Sequence, residues 1–333
     1  MSKITVIAEA GVNHNGRLNL ALKMVDLAAK SGADYIKFQT FNPELLSQKN
    51  LGLVDYQKQN YSKNSQLKML QKLSLSHNDF IKILKRCKQK KIKFLSSPFD
   101  IESINFLKKL KLKTIKVPSG EINNIPYLRE LGKLNKNIIL STGMSNIVEI
   151  KKAIKELTDN GTKKNRIVIM HCSTEYPADV KKLNLKSIKF LKDKLKMEVG
   201  YSDHSLGFEA SIMSITLGAK IFEKHFTLNK KFKGPDHKAS LSPKELIEYV
   251  DKLKLFSKSV GEYNKKPYRK EVINSKFIRK QIVALKKIKK GEKFNLKNIT
   301  TKRAKKGISA SKWDQVVGKA SKFNFLVDEN IKI

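Results

Sequence analysis

Tyr35-Ile36-Lys37-Phe38-Gln39-Thr40 is a short apolar run carrying a lysine and a glutamine two residues apart. Successive strand side chains point to opposite faces, so Lys37 and Gln39 share one face and Ile36 and Phe38 the other. An inward-facing lysine is costly unless an anion or a covalent role compensates it. Seven similar runs occupy 4–10, 93–98, 114–119, 137–142, 166–172, 197–203 and 219–227. Helical patterns separate them. Leu18, Ala21, Leu22, Val25, Ala28 and Ala29 fall on one helix face. Ser76 with Asp79 forms a capping box opening a helix toward Lys91. Ser242-Pro243 starts another, which carries Leu246, Val250 and Leu253. Strand and helix alternating eight times predict parallel strands closed into a (β/α)₈ TIM barrel. The alternative, a doubly wound open sheet, lacks a GxGxxG after the first run.

In a barrel, the C-terminal ends of the strands surround the active site. The runs end in polar residues: Glu9, then Lys37 with Gln39, Ser97, and Lys116 with Ser119 and Glu121. Ser141 follows, then His171 with Ser173 and Thr174, Ser202 with His204, and Glu223 with His225. One such residue reads as a satisfied core group; eight in register read as a site. Lys37 and Lys116, with Ser97, Ser119, Ser141 and Ser202, form an anion-binding set suited to phosphate and carboxylate. Gly120 and Gly143 let backbone N–H groups approach a ligand. His204 and His225 end adjacent strands and could hold a divalent cation, although paired histidines often only hydrogen-bond. His14 and His237 lie in loops and are candidates for substrate contact; His77 begins a helix and reads as inert. Asp236, in the turn Gly234-Pro235-Asp236-His237, either accepts from sugar hydroxyls or caps the turn.

Composition bounds the remaining possibilities. The chain has 333 residues and a formal charge of +39. The cations are 62 Lys against 7 Arg, spread along the whole chain. Base reading favours arginine, so this excess reads as solvated helix faces rather than a nucleic-acid surface. A positive field still raises the encounter rate of anionic substrates. Cys87 and Cys172 make no disulfide framework and no CxxC site. No apolar run is long enough for a membrane span, and the N-terminal run is not a signal peptide, so the cytoplasm is expected. Residues 42–75 are a long polar interruption, expected to form a lid or one wall of the site. The barrel is expected over 1–262 and a linker over 263–276. A small domain follows over 277–333, opening with a strand at 278–285. It is too short for a strong core of its own and is expected to lean on the barrel or on a partner subunit.

The pieces IAEAGVNHNG, YIKFQTF, FLSSPFD, KVPSGEINNIPYL, ILSTGM, MHCSTEYP, GYSDHSLG, EKHFTL and GPDHKASL, in this order, closely resemble the sialic acid synthase family. That family comprises N-acetylneuraminate synthases and their legionaminate and pseudaminate relatives. The tail IVALKKIKKGEKFNLKNITTKRAKKGIS resembles the family's C-terminal antifreeze-like (SAF, β-clip) domain. The resemblance implies condensation of phosphoenolpyruvate with an N-acetylated hexosamine of the N-acetylmannosamine type. The alternative acceptor is 2,4-diacetamido-2,4,6-trideoxymannose, the legionaminate precursor. It implies that Lys37, Ser97, Lys116, Ser119, Ser141 and Ser202 hold phosphoenolpyruvate. His204 and His225 would bind a divalent metal, usually Mn²⁺, with Mg²⁺ or Co²⁺ as alternatives. Gln39, Tyr176 and Asp236 would surround the open-chain sugar, with Glu9 nearby and Glu121 beside it, guiding water or a proton. Arg303 would reach the barrel of the other subunit in a swapped homodimer. The family usually continues this arginine with Pro-Gly-Asn-Gly, where this chain has Ala304, Lys305 and Lys306 before Gly307. Two rivals stand beside this reading. One is a Schiff-base aldolase or lyase with Lys37 or Lys116 as nucleophile. The other is a non-enzymatic nucleic-acid binder, whose affinity would fall steeply with salt.

Overall fold

In the computed structural model, β1 (Thr5–Gly11) pairs in parallel with both β2 (Tyr35–Thr40) and β8 (Ala219–His225). Joining the first strand to the last is what turns an open sheet into a barrel. The structure describes residues 4–53, 58 and 65–333. The other strands are β3 (Lys93–Pro98), β4 (Thr114–Val117), β5 (Asn137–Ser141), β6 (Ile167–Cys172) and β7 (Val199–Asp203). The hydrogen-bonded order is β3-β2-β1-β8-β7-β6-β5-β4, every ladder parallel. The seam falls between β3 and β4, which lie side by side without a ladder.

All eight expected strands are present, each within two residues of its expected limits at either end. The fourth stops two residues short, at Val117, because Pro118 cannot donate to a ladder and Ser119–Glu121 turns as a 3₁₀ helix. Strand side chains split by parity. Ala8, Ile36, Phe38, Ile115, Val117, Leu140, Ile169 and Phe222 join the large core between the strands and the helices. Ile7, Leu95, Ile139, Met170 and Ile221 form a separate cluster inside the barrel. Helices return the chain between strands, and their starts are written locally. Ser76 and Asp79 close a capping box on the helix His77–Gln89, and Ser242 and Glu245 do so on Pro243–Phe256. Asp100 and Asn124 cap the helices that follow β3 and β4, which fixes the loops leading away from the strand ends.

In the interruption at 42–75, helices span Pro43–Leu46 and Gln66–Leu73 among the described residues. Its middle, 54–57 and 59–64, lies outside the described residues. The chain divides into two compact units, 1–261 and 262–333. The second unit has an antiparallel pair, β9 (Lys280–Ala284) with β10 (Ile299–Arg303). It also has an apolar cluster of its own that includes Ile282, Ile288, Phe294, Ile299, Phe325 and Ile331. The stretch expected as a linker over 263–276 is not featureless. A helix spans Arg269–Ile278, with the Glu271 carboxylate accepting from the Tyr268 N–H at its start. Its charge density masks the i, i+4 pair Ile273 and Phe277, a helical spacing.

Candidate active site

Two residues beyond the inner apolar cluster, the inward parity turns polar. Ile7 is followed by Glu9, Leu95 by Ser97, Ile139 by Ser141, Met170 by Cys172 and Ile221 by Glu223. Lys37, Lys116 and Ser202 occupy the inward positions of the remaining strands. All eight line one cleft of ≈ 550 Å³ at the C-terminal end of the barrel. Gln39, Ser119, Tyr176, His204, His225 and Asp236 line it too. The structure thus brings together twelve of the fourteen residues to which the family resemblance gives a role.

The floor is a four-membered charge cluster. Lys37 Nζ donates to Glu9 Oε1 at 2.8 Å and to Ser97 Oγ at 3.2 Å, and lies 3.7 Å from Glu223 Oε2. Lys116 Nζ donates to both Glu223 oxygens, at 2.7 and 2.8 Å, and Ser202 Oγ donates to Glu223 Oε1 at 2.9 Å. All four charged side chains are nearly fully buried. Burial alone would raise the Glu223 pKa, but the Lys116 and Lys37 ammoniums overcome it and hold this carboxylate well below its usual range. Glu9 is pushed up to about 7, because burial outweighs its pairing with Lys37. One carboxylate is therefore firmly ionised and the other is balanced near neutrality.

The two histidines are neutral. His204 is lowered to about 4 and His225 well below 6.5, both by burial. The Ser173 carbonyl can only accept, so His204 Nδ1 carries the proton and Nε2 the lone pair. Nε2 lies 3.2 Å from Ser202 Oγ and 3.3 Å from Tyr176 Oη, whose ring stacks on the imidazole. The His225 ring centroid is 5.6 Å from that of His204. Its Nδ1 is buried with no hydrogen-bond partner among the described residues, and Asp236 Oδ2 is 3.9 Å away. Burial pushes Asp236 up to about 7. A fixed lone pair beside an unpartnered ring nitrogen is a donor set that fits two ligands of a divalent cation. Among the described residues no cluster of three or more His, Cys, Asp or Glu is arranged to hold a metal.

Two glycines keep this space open. A Cβ on Gly143 would come within 2.8 Å of Thr174 Cγ2 and 2.9 Å of Ser119 Oγ, the oxygen that accepts from the Gly143 N–H at 3.0 Å. Gly11 sits at φ +52°, and a Cβ there would meet the His225 ring at 3.1 Å.

Several candidates lie elsewhere. Glu121 does not line the cleft: the 3₁₀ turn after Pro118 directs its carboxylate to Asn124 Nδ2, at 2.7 Å. His171 has the outward parity, bonds the Leu183 carbonyl at 2.8 Å and stacks on Tyr201. His14 and His237 are buried in the loops after β1 and β8, bonded to the Gly16 N–H and to Thr227 and Asn15. His77 stacks on Phe106, in keeping with an inert role. Arg303 ends β10 in the small unit and is exposed. Glu223, which the sequence shows only as a polar end of the eighth run, is in the cleft the partner of both lysines. Cys172 was missed outright, although it shares inward parity with Thr174. Leu46, Met69, Leu70 and Leu73 of the 42–75 interruption line one side of the cleft, so this segment supplies a wall.

The NeuB family model matches residues 24–265 and the SAF domain model residues 279–326. The chain is 48% identical over 336 residues to the N,N'-diacetyllegionaminic acid synthase of Campylobacter jejuni subsp. jejuni serotype O:2, covering 100% of both chains. It is 37% identical to the N,N'-diacetyllegionaminic acid synthase of Legionella pneumophila, covering 96% of this chain and 90% of that one. Among solved structures, the N-acetylneuraminic acid (sialic acid) synthetase of Leptospira borgpetersenii superposes with a TM-score of 0.74 at 31% identity. That match covers 83% of this chain and 93% of that one. With an eight-stranded parallel barrel and a model match across most of its length, this chain belongs to the NeuB family and ends in a SAF domain.

Proposed function

We propose that this protein condenses phosphoenolpyruvate with an N-acetylated hexosamine, releasing inorganic phosphate and forming a nine-carbon sialic-type sugar acid. The observation that carries the reading is two buried lysines and four serine hydroxyls converging beside two neutral imidazoles, in a NeuB-family barrel. Of the two candidate sugars we favour 2,4-diacetamido-2,4,6-trideoxymannose over N-acetylmannosamine, since relatives at 48% and 37% identity are named for N,N'-diacetyllegionaminic acid.

In the reaction, C3 of phosphoenolpyruvate forms a bond to the sugar aldehyde carbon. Water adds at C2, and phosphate leaves by C–O cleavage with the bonding pair. Lys37 and Lys116 Nζ, with Ser97, Ser119, Ser141 and Ser202 Oγ, bind the phosphate and carboxylate oxygens and fix the enol. Preorganised donors in a water-poor site stabilise charge more than they could in water. Gln39, Tyr176 and Asp236 orient the sugar; Asp236, held near 7, can accept from a hydroxyl or donate to one. Glu9, also near 7, can hold a proton beside Lys37. His204 and His225 would hold a divalent cation, Mn²⁺ in our assignment, which when bound supplies Lewis-acid polarisation of the aldehyde. Holding both substrates in one cleft supplies the proximity term. We assign Arg303 to the barrel of a second copy of the chain in a swapped homodimer, where its planar fork would bind the sugar's acetamido group.

The test is phosphate release from phosphoenolpyruvate and Mn²⁺ with each purified amino sugar. Sugar-dependent release with a nonulosonic acid product is expected. Borohydride trapping of Lys37 or Lys116 with pyruvate, with activity indifferent to chelator, would replace this reading with a Schiff-base aldolase.

A further inference from the structure

One side of the cleft is apolar apart from Gln66, whose Oε1 accepts from Ser47 Oγ at 3.0 Å. Phe41, Leu46, Met69, Leu70, Leu73 and Phe99 line it and pack as one cluster with Val12 and Leu53. Phe41 stands just past the end of β2, and Lys37 lies three residues before that end, roughly 10 Å at about 3.3 Å per residue. Phe99 stands just past the end of β3. The wall therefore rises from the mouth side of the lysine floor. The cations lining the cleft, Lys37 and Lys116, are both on the floor and already paired with carboxylates. Among the described residues, no lysine or arginine lines the apolar side. A phosphoryl group pressed there would lose its water without gaining a partner, whereas a methyl group would gain by burial.

We infer that this wall is the specificity determinant for the far end of the amino sugar, selecting a methyl-bearing end over a hydroxylated or phosphorylated one. The inference rests on the condensation reading above. The sugar's aldehyde carbon must meet phosphoenolpyruvate at the lysine floor, so C4 to C6 extend toward the wall. In 2,4-diacetamido-2,4,6-trideoxymannose that end carries a C6 methyl and a C4 acetamido methyl. In N-acetylmannosamine it carries hydroxyls at both carbons. Leu46 and Leu70, each half-buried, can accept a polar side chain without burying it completely.

The experiment compares kcat/KM, by phosphate release, for the diacetamido sugar, N-acetylmannosamine and N-acetylmannosamine 6-phosphate. Wild type should prefer the diacetamido sugar about ten- to two-hundred-fold, the range that one apolar contact sets, and should show no turnover of the phosphate ester. Leu70→Gln and Leu46→Gln should each cut that preference about tenfold, through the KM for sugar, with the KM for phosphoenolpyruvate unchanged. Phe99→Tyr, which adds one hydroxyl with little change of shape, serves the same purpose should either glutamine variant fail to fold. Equal use of the two sugars by wild type, or folded variants with an unaltered ratio, overturns the wall's role and leaves the condensation reading standing. Absence of phosphate release with every sugar takes down that reading and this inference together.

Discussion

Replacing Glu223 by Gln keeps the shape of the side chain and removes its charge. Glu223 takes two hydrogen bonds from Lys116 and one from Ser202, and lies 3.7 Å from Lys37. The floor balances two ammoniums against Glu9 and Glu223; after the change, two ammoniums face Glu9 alone. Removing one partner of a buried ion pair costs about 3–5 kcal/mol, because the other charge stays buried without compensation. Glu223→Gln should therefore lower the urea unfolding free energy by about that amount with an unchanged slope. Lys116→Met should cost a similar amount. The double variant should cost less than the sum, with a coupling of about 1–3 kcal/mol. The single tryptophan, Trp313, belongs to the small unit, so far-UV circular dichroism rather than tryptophan fluorescence must follow the barrel. Inorganic phosphate should raise the stability of Glu223→Gln more than that of wild type, since an anion restores the missing charge and ligand binding adds directly to stability. Costs that add within about 0.5 kcal/mol, together with equal phosphate protection of both proteins, would refute the account of the floor as one coupled cluster.

Three further outcomes follow from the same geometry. EDTA should abolish phosphate release and Mn²⁺ restore it, and His225→Ala should lose activity while keeping its circular dichroism; full activity in metal-free enzyme would remove the ligand role of both histidines. Arg303→Lys should impair turnover although the charge is kept, and mixing Arg303→Ala with His225→Ala protein should restore activity through hybrid dimers; mixtures that exchange subunits and stay inactive would show that Arg303 does not act in trans. His14 is lowered from 6.5 to about 4 by burial. The unfolded chain binds this proton more readily, so the stabilisation is complete above about pH 6.5 and is lost as the pH falls toward 4, at most about 3 kcal/mol. Unfolding free energies at pH 7 and pH 5 should show that slope in wild type and a shallower one in His14→Gln; identical slopes would mean that His14 does not contribute.

The pattern of residues along the chain makes the barrel legible, because two periodicities, two residues in strands and 3.6 in helices, alternate with local start signals such as Ser76 with Asp79. It also determined most of the cleft, because strand parity is a local property: once Lys37 faces inward, so does Gln39. The tertiary structure decided what those residues do to one another. Glu223 and Lys116 are 107 positions apart, on β8 and β4 with three strands between them, and only the curling of the sheet into a barrel brings carboxylate and ammonium within 2.7 Å. Glu121 shows the converse. Its position just past a strand end reads as a site residue, but a turn of three residues, invisible to periodicity, directs it to Asn124 instead. The wall of Leu46, Met69, Leu70 and Leu73 was legible only as an interruption of the pattern. That these leucines and methionine face a sugar-sized cleft depends on where a long connection folds back, and non-local packing sets that, not sequence spacing.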